Sequence, residues 1–443
     1  MTFHPRVRDA LLACLLMLLC LGWAAWAFAH NPSINPVGEW TYLDYSLKAS
    51  SGTVPAPGDV MAPQARQAWA CHAPAGTAIT PPPCDAWDQV APADWPYRAE
   101  NYNAFHPPLY FLVDGAIARL AGLAGLSFLT GARLGSAVLV AAGVGLFYAA
   151  LRAWRLSPVV SFAAALFFLA VPSVAASATM VHNDAVGPLA GAAAAWLSAR
   201  IVVGKKTGWV LPALITAAIC LSRVISITGI LAILVPVTLA ICWPGLVGFG
   251  RAQRRHLAVL LGTQVLTVAA CYLGWDAIQG ARTPEGYVPA INAISTSPVS
   301  EASTGRLLLS LLNPYGLTNP AAKYHFSPEL ISAPTQIWGT VAYVVLLVGP
   351  LLALVAGLRS VRGRVLGLSG ATGPLIVGVV VQAREIINGG LYFRSIPRRY
   401  GIANVAGALA AIAHLADRPI WRGVLMGAGA LGYLCLLAGP VWA

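Results

Sequence analysis

The chain has 443 residues, of which 58% are hydrophobic and 10% charged, and its mean hydropathy is +0.69. This excludes a soluble globular domain, because apolar runs of about 20 residues, the length that crosses a bilayer as a helix, recur from end to end. The formal charge of +12 comes without basic repeats or interleaved aromatics, so it reports membrane topology and gives no sign of nucleic acid.

In chain order, spans are predicted at 9–29, 132–151, 157–178, 185–203, 208–222, 224–246, 256–278, 336–358, 365–382, 399–415 and 421–440. The fold class is therefore an all-α integral membrane protein of about eleven transmembrane helices, one unit over 1–443, with large loops at 30–131 and 279–335. With the N-terminus inside, the inner segments hold 15 of the 28 Lys and Arg but only two of the 16 acids, Asp9 and Asp417. That asymmetry follows the positive-inside rule and puts both large loops outside. The apolar stretch 107–125 carries Asp114 and Arg119, and a crossing there would reverse every later loop. An interfacial helix fits it better. Residues 1–29 also resemble a secretory signal peptide, with Arg6 and Arg8 before a leucine-rich run and Ala27-Phe28-Ala29 after it. The length of the run favours a retained anchor.

The first outer loop opens with PVGEWTYLDYSLKA, predicted as a short helix capped by Asn35, with Pro36 in its first turn and Glu39 and Asp44 along it. Five residues turn a helix by about 140°, so these two acids do not share a face. Cys71 and Cys84 lie in this loop, and outside a cytoplasmic membrane they are expected to be bridged. A metal–thiolate site is the poorer alternative, since only His72 is near. The other cysteines fall in or beside spans and read as packing residues. Trp40, Tyr42, Trp69 and Trp95 are among many aromatics here, suited equally to interfacial anchoring and to stacking on a sugar. The string from His106 to Phe111, HPPLYF, imposes an extended entry into the interfacial helix.

Asn183 and Asp184 sit at the seam between two spans. An ionisable group beside hydrocarbon usually marks a site, although Asp184 would also serve as the N-cap of the helix that follows. Arg223 occupies a second seam. The later outer loop contributes an amphipathic stretch at 301–312, then Asn313-Pro314-Tyr315 and Lys323-Tyr324-His325. Outer residues 383–398 read as a short loop. Arg398, Arg399 and Tyr400 follow at the outer end of a span. Adjacent arginines match a phosphate, with snorkelling to the interface as the plainer explanation.

Taken in order, these motifs resemble the GT-C superfamily of membrane glycosyltransferases, which includes protein mannosyltransferases and aminoarabinose transferases. The resemblance rests on Gly38-Glu39 after the first span, His106-Pro107-Pro108-Leu109-Tyr110 opening an interfacial helix, His182-Asn183-Asp184 at the next outer seam, and Arg399-Tyr400 opening a late span. It covers residues 5–205 well and 220–415 in outline. It implies transfer of a sugar from a polyprenyl-phosphate donor to a glycan, lipid or protein acceptor at the outer face of the cytoplasmic membrane. It also implies Glu39, Asp44 and Asp184 as catalytic carboxylates, with Glu39 the base and Asp184 orienting. His106, Asn183, Arg223, Arg398, Arg399 and Tyr400 would bind substrate. The family's first motif is commonly Asp-Glu, with the Asp as base, whereas here the Asp position is Gly38. No metal ligand set is read; arginines could replace a metal in stabilising a departing phosphate, so a divalent metal stays open without being implied. Two other classes remain: a transporter or flippase of lipid-linked sugars, for which Gln264 and Asp276 are near-buried polar residues, and a non-catalytic scaffold, for which Gly38 speaks.

The topology has a direct check. Single cysteines placed near residue 153 and near residue 181 are expected to label from opposite sides of the membrane, and labelling from one side would overturn the eleven-span order.

Overall fold

The computed structural model describes residues 5–36, 38–73, 79–203, 208–243, 245, 251–291, 296–305, 307–308, 332–394 and 396–439. Among the described residues, eight helices are long and apolar enough to cross a membrane. In the order of the chain, the helices are α1 (Pro5–His30), α2 (Glu39–Ser50), α3 (Pro63–Cys71), α4 (Leu109–Leu123), α5 (Phe128–Ala153), α6 (Pro158–Ala170), α7 (Pro172–Ser177) and α8 (Val186–Val202). Then follow α9 (Val210–Ser222), α10 (Thr228–Cys242), α11 (Arg251–Arg282), α12 (Ala333–Gly357), α13 (Val361–Gly389), α14 (Ile402–Leu415) and α15 (Pro419–Leu437). The chain is a multi-pass membrane protein, and each predicted span coincides with one of these helices or with a helix and its neighbouring turn. Hydrocarbon offers no partner for backbone N–H and C=O groups, so apolar runs of this length must close their own hydrogen bonds.

Helix starts follow local chemistry. Ser127, Ser157, Ser332 and Ser360 each turn a side-chain oxygen onto a backbone N–H of the first turn, and Pro158 follows Ser157 at a position where a missing N–H costs nothing. The predicted span 157–178 is interrupted. Pro172 forces Val171 into an extended conformation, ending α6 and starting α7. Indole groups from other helices meet the carbonyls at this break: Trp338 Nε1 donates to Ala170 O at 2.7 Å and Trp23 Nε1 to Ala175 O at 3.0 Å.

The stretch predicted not to cross forms α4, 15 residues or about 22 Å long, shorter than a hydrocarbon core of about 30 Å. It packs on α2 and α5 and turns Leu112, Leu120 and Leu123 outward. The first-loop helix begins three residues later than predicted, at Glu39, because Gly38 takes the left-handed conformation with φ +89°. Asn35 is therefore not its cap. A side chain at position 38 would meet the Tyr102 hydroxyl at 2.7 Å, which gives a steric reason for glycine where the related motif carries Asp. Cys71 and Cys84 are joined in a disulfide. The helix before the predicted loop 383–398 runs on to Gly389, and Leu391–Phe393 pairs antiparallel with Thr296–Pro298 in a two-stranded ribbon. Asn313-Pro314-Tyr315, Lys323-Tyr324-His325 and residues 306 and 309–312 of the expected 301–312 helix lie outside the described residues.

Polar contacts gather at the two ends of the bundle. At one end Arg152 of α5 pairs with Asp9 of α1 at 3.1 Å, and Asp417 accepts from Ser157 and pairs with Arg422. This is the end that charge counting places inside. The opposite end holds Glu39, His106, Asp184, Arg223 and Arg399. Helices α8, α10 and α14 all start there, each entered through a short 3-10 turn, at Asn183–Ala185, Val224–Ile227 and Arg398–Gly401. They approach closely because Gly191 of α8 and Gly229 of α10 both face the backbone of Ala403 on α14. A β-carbon at 191 would collide with the Ala403 carbonyl oxygen.

Gly191→Ala is therefore expected to lower stability by about 1–3 kcal/mol through overpacking. Gly423→Ala, where nothing lies within 4 Å, should be neutral or stabilising. Thermal unfolding of both variants in detergent checks the contrast.

Candidate functional site

The converging helix starts place three charged side chains from separate segments against one another. Asp184 lies in the 3-10 turn before α8 and is 1% exposed. Its Oδ1 contacts the guanidinium of Arg223, which ends α9, and its Oδ2 stands 3.6 Å from Nε of Arg399. One carboxylate against two guanidinium groups leaves one positive charge uncompensated in a buried setting. The Arg399 guanidinium also lies over the Tyr400 ring, 5.5 Å from its centroid.

A cavity of about 250 Å³ opens in front of this cluster. Its lining includes Arg223, Arg399, Tyr400, Asn183, His182, Tyr42 and His106, together with Tyr272, Trp275, Asp276, Arg384 and Glu385. Asn183 is 1% exposed, yet neither its amide oxygen nor its amide nitrogen has a protein partner. His182 Nδ1 accepts the Asp184 backbone N–H at 3.0 Å, which leaves the ring proton on Nε2, and that atom is also buried without a partner. Buried polar atoms are normally satisfied, so open ones lining a cavity beside an uncompensated cation mark a ligand position.

His106 exchanges a hydrogen bond with the Tyr42 hydroxyl at 3.1 Å, and Tyr45 donates to its carbonyl at 2.9 Å. Burial, then His182 and Arg223, hold the His106 imidazole well below its ordinary pKa. Burial likewise lowers His182, against the opposing pull of Asp184. Both rings are neutral near pH 7, so the positive charge here belongs to the arginines. Burial raises the Tyr42 hydroxyl, which therefore keeps its proton.

Glu39 and Asp44, read from the sequence as catalytic carboxylates, do not line the cavity. Glu39 takes a two-pronged pair from Arg133 of α5, both contacts at 2.8 Å, and accepts backbone N–H groups from Val181 at 2.8 Å and Asn35 at 2.6 Å. Arg133 spends its other donors on Asn31 O and Ser33 O. Asp44 accepts from Asn101 at 2.7 Å and the Ala62 N–H at 2.6 Å, and pairs with Lys48 at 2.9 Å. Both acids are buried and engaged on both oxygens, so they anchor the first loop and offer nothing free to a ligand. Asp184 stands behind the cavity wall, holding two arginines that reach it. Backbone atoms of Arg398 enter the turn before α14, while its side chain lies outside the described residues; the partner of Arg399 is Arg223.

Several site residues went unread in the sequence. Arg133 left a trace, a charge in the first turn of a predicted span with no stated role. Arg384-Glu385 left another, as charged residues at the outer end of an apolar run, while Asp276 was read only as a near-buried polar residue and is exposed.

No protein-family model matches the chain, and no curated protein matches it. A solved structure of ArnT from Cupriavidus metallidurans bound to undecaprenyl phosphate overlaps it with a TM-score of 0.39 and 14% identity, over 85% of this chain and 78% of that one. Identity so low says nothing about residue roles, which rest on the geometry above.

Removing one member of a buried pair strands the other charge. Arg133→Gln is thus expected to cost about 3–5 kcal/mol. Adding Glu39→Gln should restore part of that loss, and a double-mutant cycle on unfolding in detergent measures the coupling. Additive losses would mean that Glu39 is not anchored through Arg133.

Proposed function

We propose that this protein is a membrane glycosyltransferase of the GT-C kind, taking a sugar from a polyprenyl-phosphate donor and passing it to a glycan, lipid or protein acceptor at the extracytoplasmic face of the cytoplasmic membrane. The observation that carries the reading is the shared carboxylate. Asp184 holds Arg223 and Arg399 side by side at the wall of a cavity, with one positive charge to spare.

The chemistry follows from that arrangement. A glycosyl phosphate breaks its C1–O bond as negative charge builds on the phosphate oxygen. Guanidinium groups fixed in advance stabilise that charge without reorganising, and they do so most where water is excluded. Arg223 and Arg399 would hold the phosphate. Three helix N-termini arriving at the same place add favourable dipole ends. Asn183 and the His182 Nε2–H have free hydrogen-bonding capacity for sugar hydroxyls or phosphate oxygens. Phe105 and Trp275 offer ring faces for the sugar, and Tyr400 braces Arg399. Asp184 acts by orienting the arginines. The polyprenyl chain would remain among membrane lipids at the rim of the bundle.

Arg399→Ala is expected to weaken binding of polyprenyl phosphate at least tenfold, about 1.4 kcal/mol. Arg418→Ala, at the opposite end of the bundle, should leave it unchanged. Titration of polyprenyl phosphate into the protein in nanodiscs checks both. Equal affinity in folded wild type and Arg399→Ala would remove the phosphate role. Donor carried across the bilayer with its sugar intact would favour a flippase.

A further inference from the structure

We infer that Asp276 is the general base of the transfer step, an inference that rests on the glycosyltransferase reading. The deprotonation of an acceptor hydroxyl needs a carboxylate that reaches the cavity and is not already spent. Glu39 and Asp44 are engaged on both oxygens away from it, and Asp184 is held by two arginines. Glu385 reaches the cavity but pairs with Arg384 at 3.0 Å. Asp276 reaches it with an exposed side chain, and makes no ion pair or hydrogen bond to another described residue.

The backbone that carries Asp276 is held from both sides. One residue before it, Trp275 donates its indole N–H to Phe105 O at 2.8 Å. Three residues after it, Gln279 donates to Ala104 O at 2.8 Å and to Pro55 O at 3.3 Å. Arg282, one turn further, contacts Val54 O. The last turns of α11 are therefore fastened across the loop that leads into His106 and Pro107. Asp276 lines the same cavity as Arg223 and Arg399, so an acceptor bound there would lie within one site with the base and the phosphate.

In the step proposed, the Asp276 carboxylate takes the proton of the acceptor hydroxyl. The acceptor oxygen forms a bond to C1 of the sugar. The C1–O bond to phosphate breaks, and its electron pair leaves on polyprenyl phosphate beside the two arginines. No oxidant or further reactant is needed.

The test uses the full chain in nanodiscs. Its donor is polyprenyl-phosphate sugar extracted from cells lacking the protein, and its acceptor is the envelope glycan of the same cells. Asp276→Asn is expected to lower kcat by about 10² to 10⁴. Binding of polyprenyl phosphate and the unfolding temperature should stay as in wild type. Asp276→Glu should recover part of the rate, which a residue that only shapes the cavity wall would not require. A normal rate in Asp276→Asn overturns this role and leaves the transferase reading in place. A loss of donor affinity equal to the loss of rate makes Asp276 a wall residue and also overturns it. Wild type that neither binds polyprenyl phosphate nor releases it from the donor overturns the transferase reading and this inference together.

Discussion

One buried carboxylate sets the geometry of the whole candidate site. Asp184 is almost wholly enclosed, so its charge must be paired where it stands. Two guanidinium groups meet it, from the end of α9 and from the turn before α14. Each would repel the other without the anion between them. The cost of bringing like charges together is offset by Asp184, and the surplus positive charge is what a phosphate would neutralise. Gly191 and Gly229 make the arrangement reachable, because only small residues let α14 come close enough for Arg399 to arrive.

A second buried pair supports the first. Glu39 and Arg133 tie the end of α1, the start of α2 and the second turn of α5 to the backbone of Val181, three residues before Asp184. The first large loop is thus braced against the seam that carries the site. Asp44 extends the brace to Ala62 and Asn101, and the stacked Trp40 and Trp69 rings, 4.3 Å apart, join α2 to α3. The carboxylates closest in sequence to the first span therefore serve the scaffold. Asp276 of α11 and Glu385 of α13 line the cavity instead. Helix α11 bridges to the first loop through Trp275, Gln279 and Arg282 rather than by burying its length in the bundle.

Much of this was legible in the sequence, for reasons that are local. A run of apolar residues must be helical in hydrocarbon, so each predicted span found a helix. The clustering of basic residues on alternate loops matched the two polar ends of the bundle, with Asp9 and Asp417 at one and Asp184 at the other. Asp114 and Arg119 argue against a span at 107–125, and α4 there is a 15-residue helix packed on α2 and α5. Local signals also misled. The start of α2 was placed at Pro36 on capping preferences, but Gly38 adopts a left-handed turn that delays it. The span at 157–178 was drawn whole although Pro172 stood inside it.

The sequence by itself determined the membrane class and the order of the helices, because apolar length is a property of short segments, and it drew attention to Asp184, Arg223 and Arg399 as ions beside hydrocarbon. Only the tertiary structure decided which charges meet. Glu39 and Arg133 are 94 residues apart, and so strong a pairing leaves no trace in the spacing of either. Whether a carboxylate is a brace or a free base depends on what fills its lone pairs. Those partners come from distant helices, brought together by close packing that no local pattern encodes.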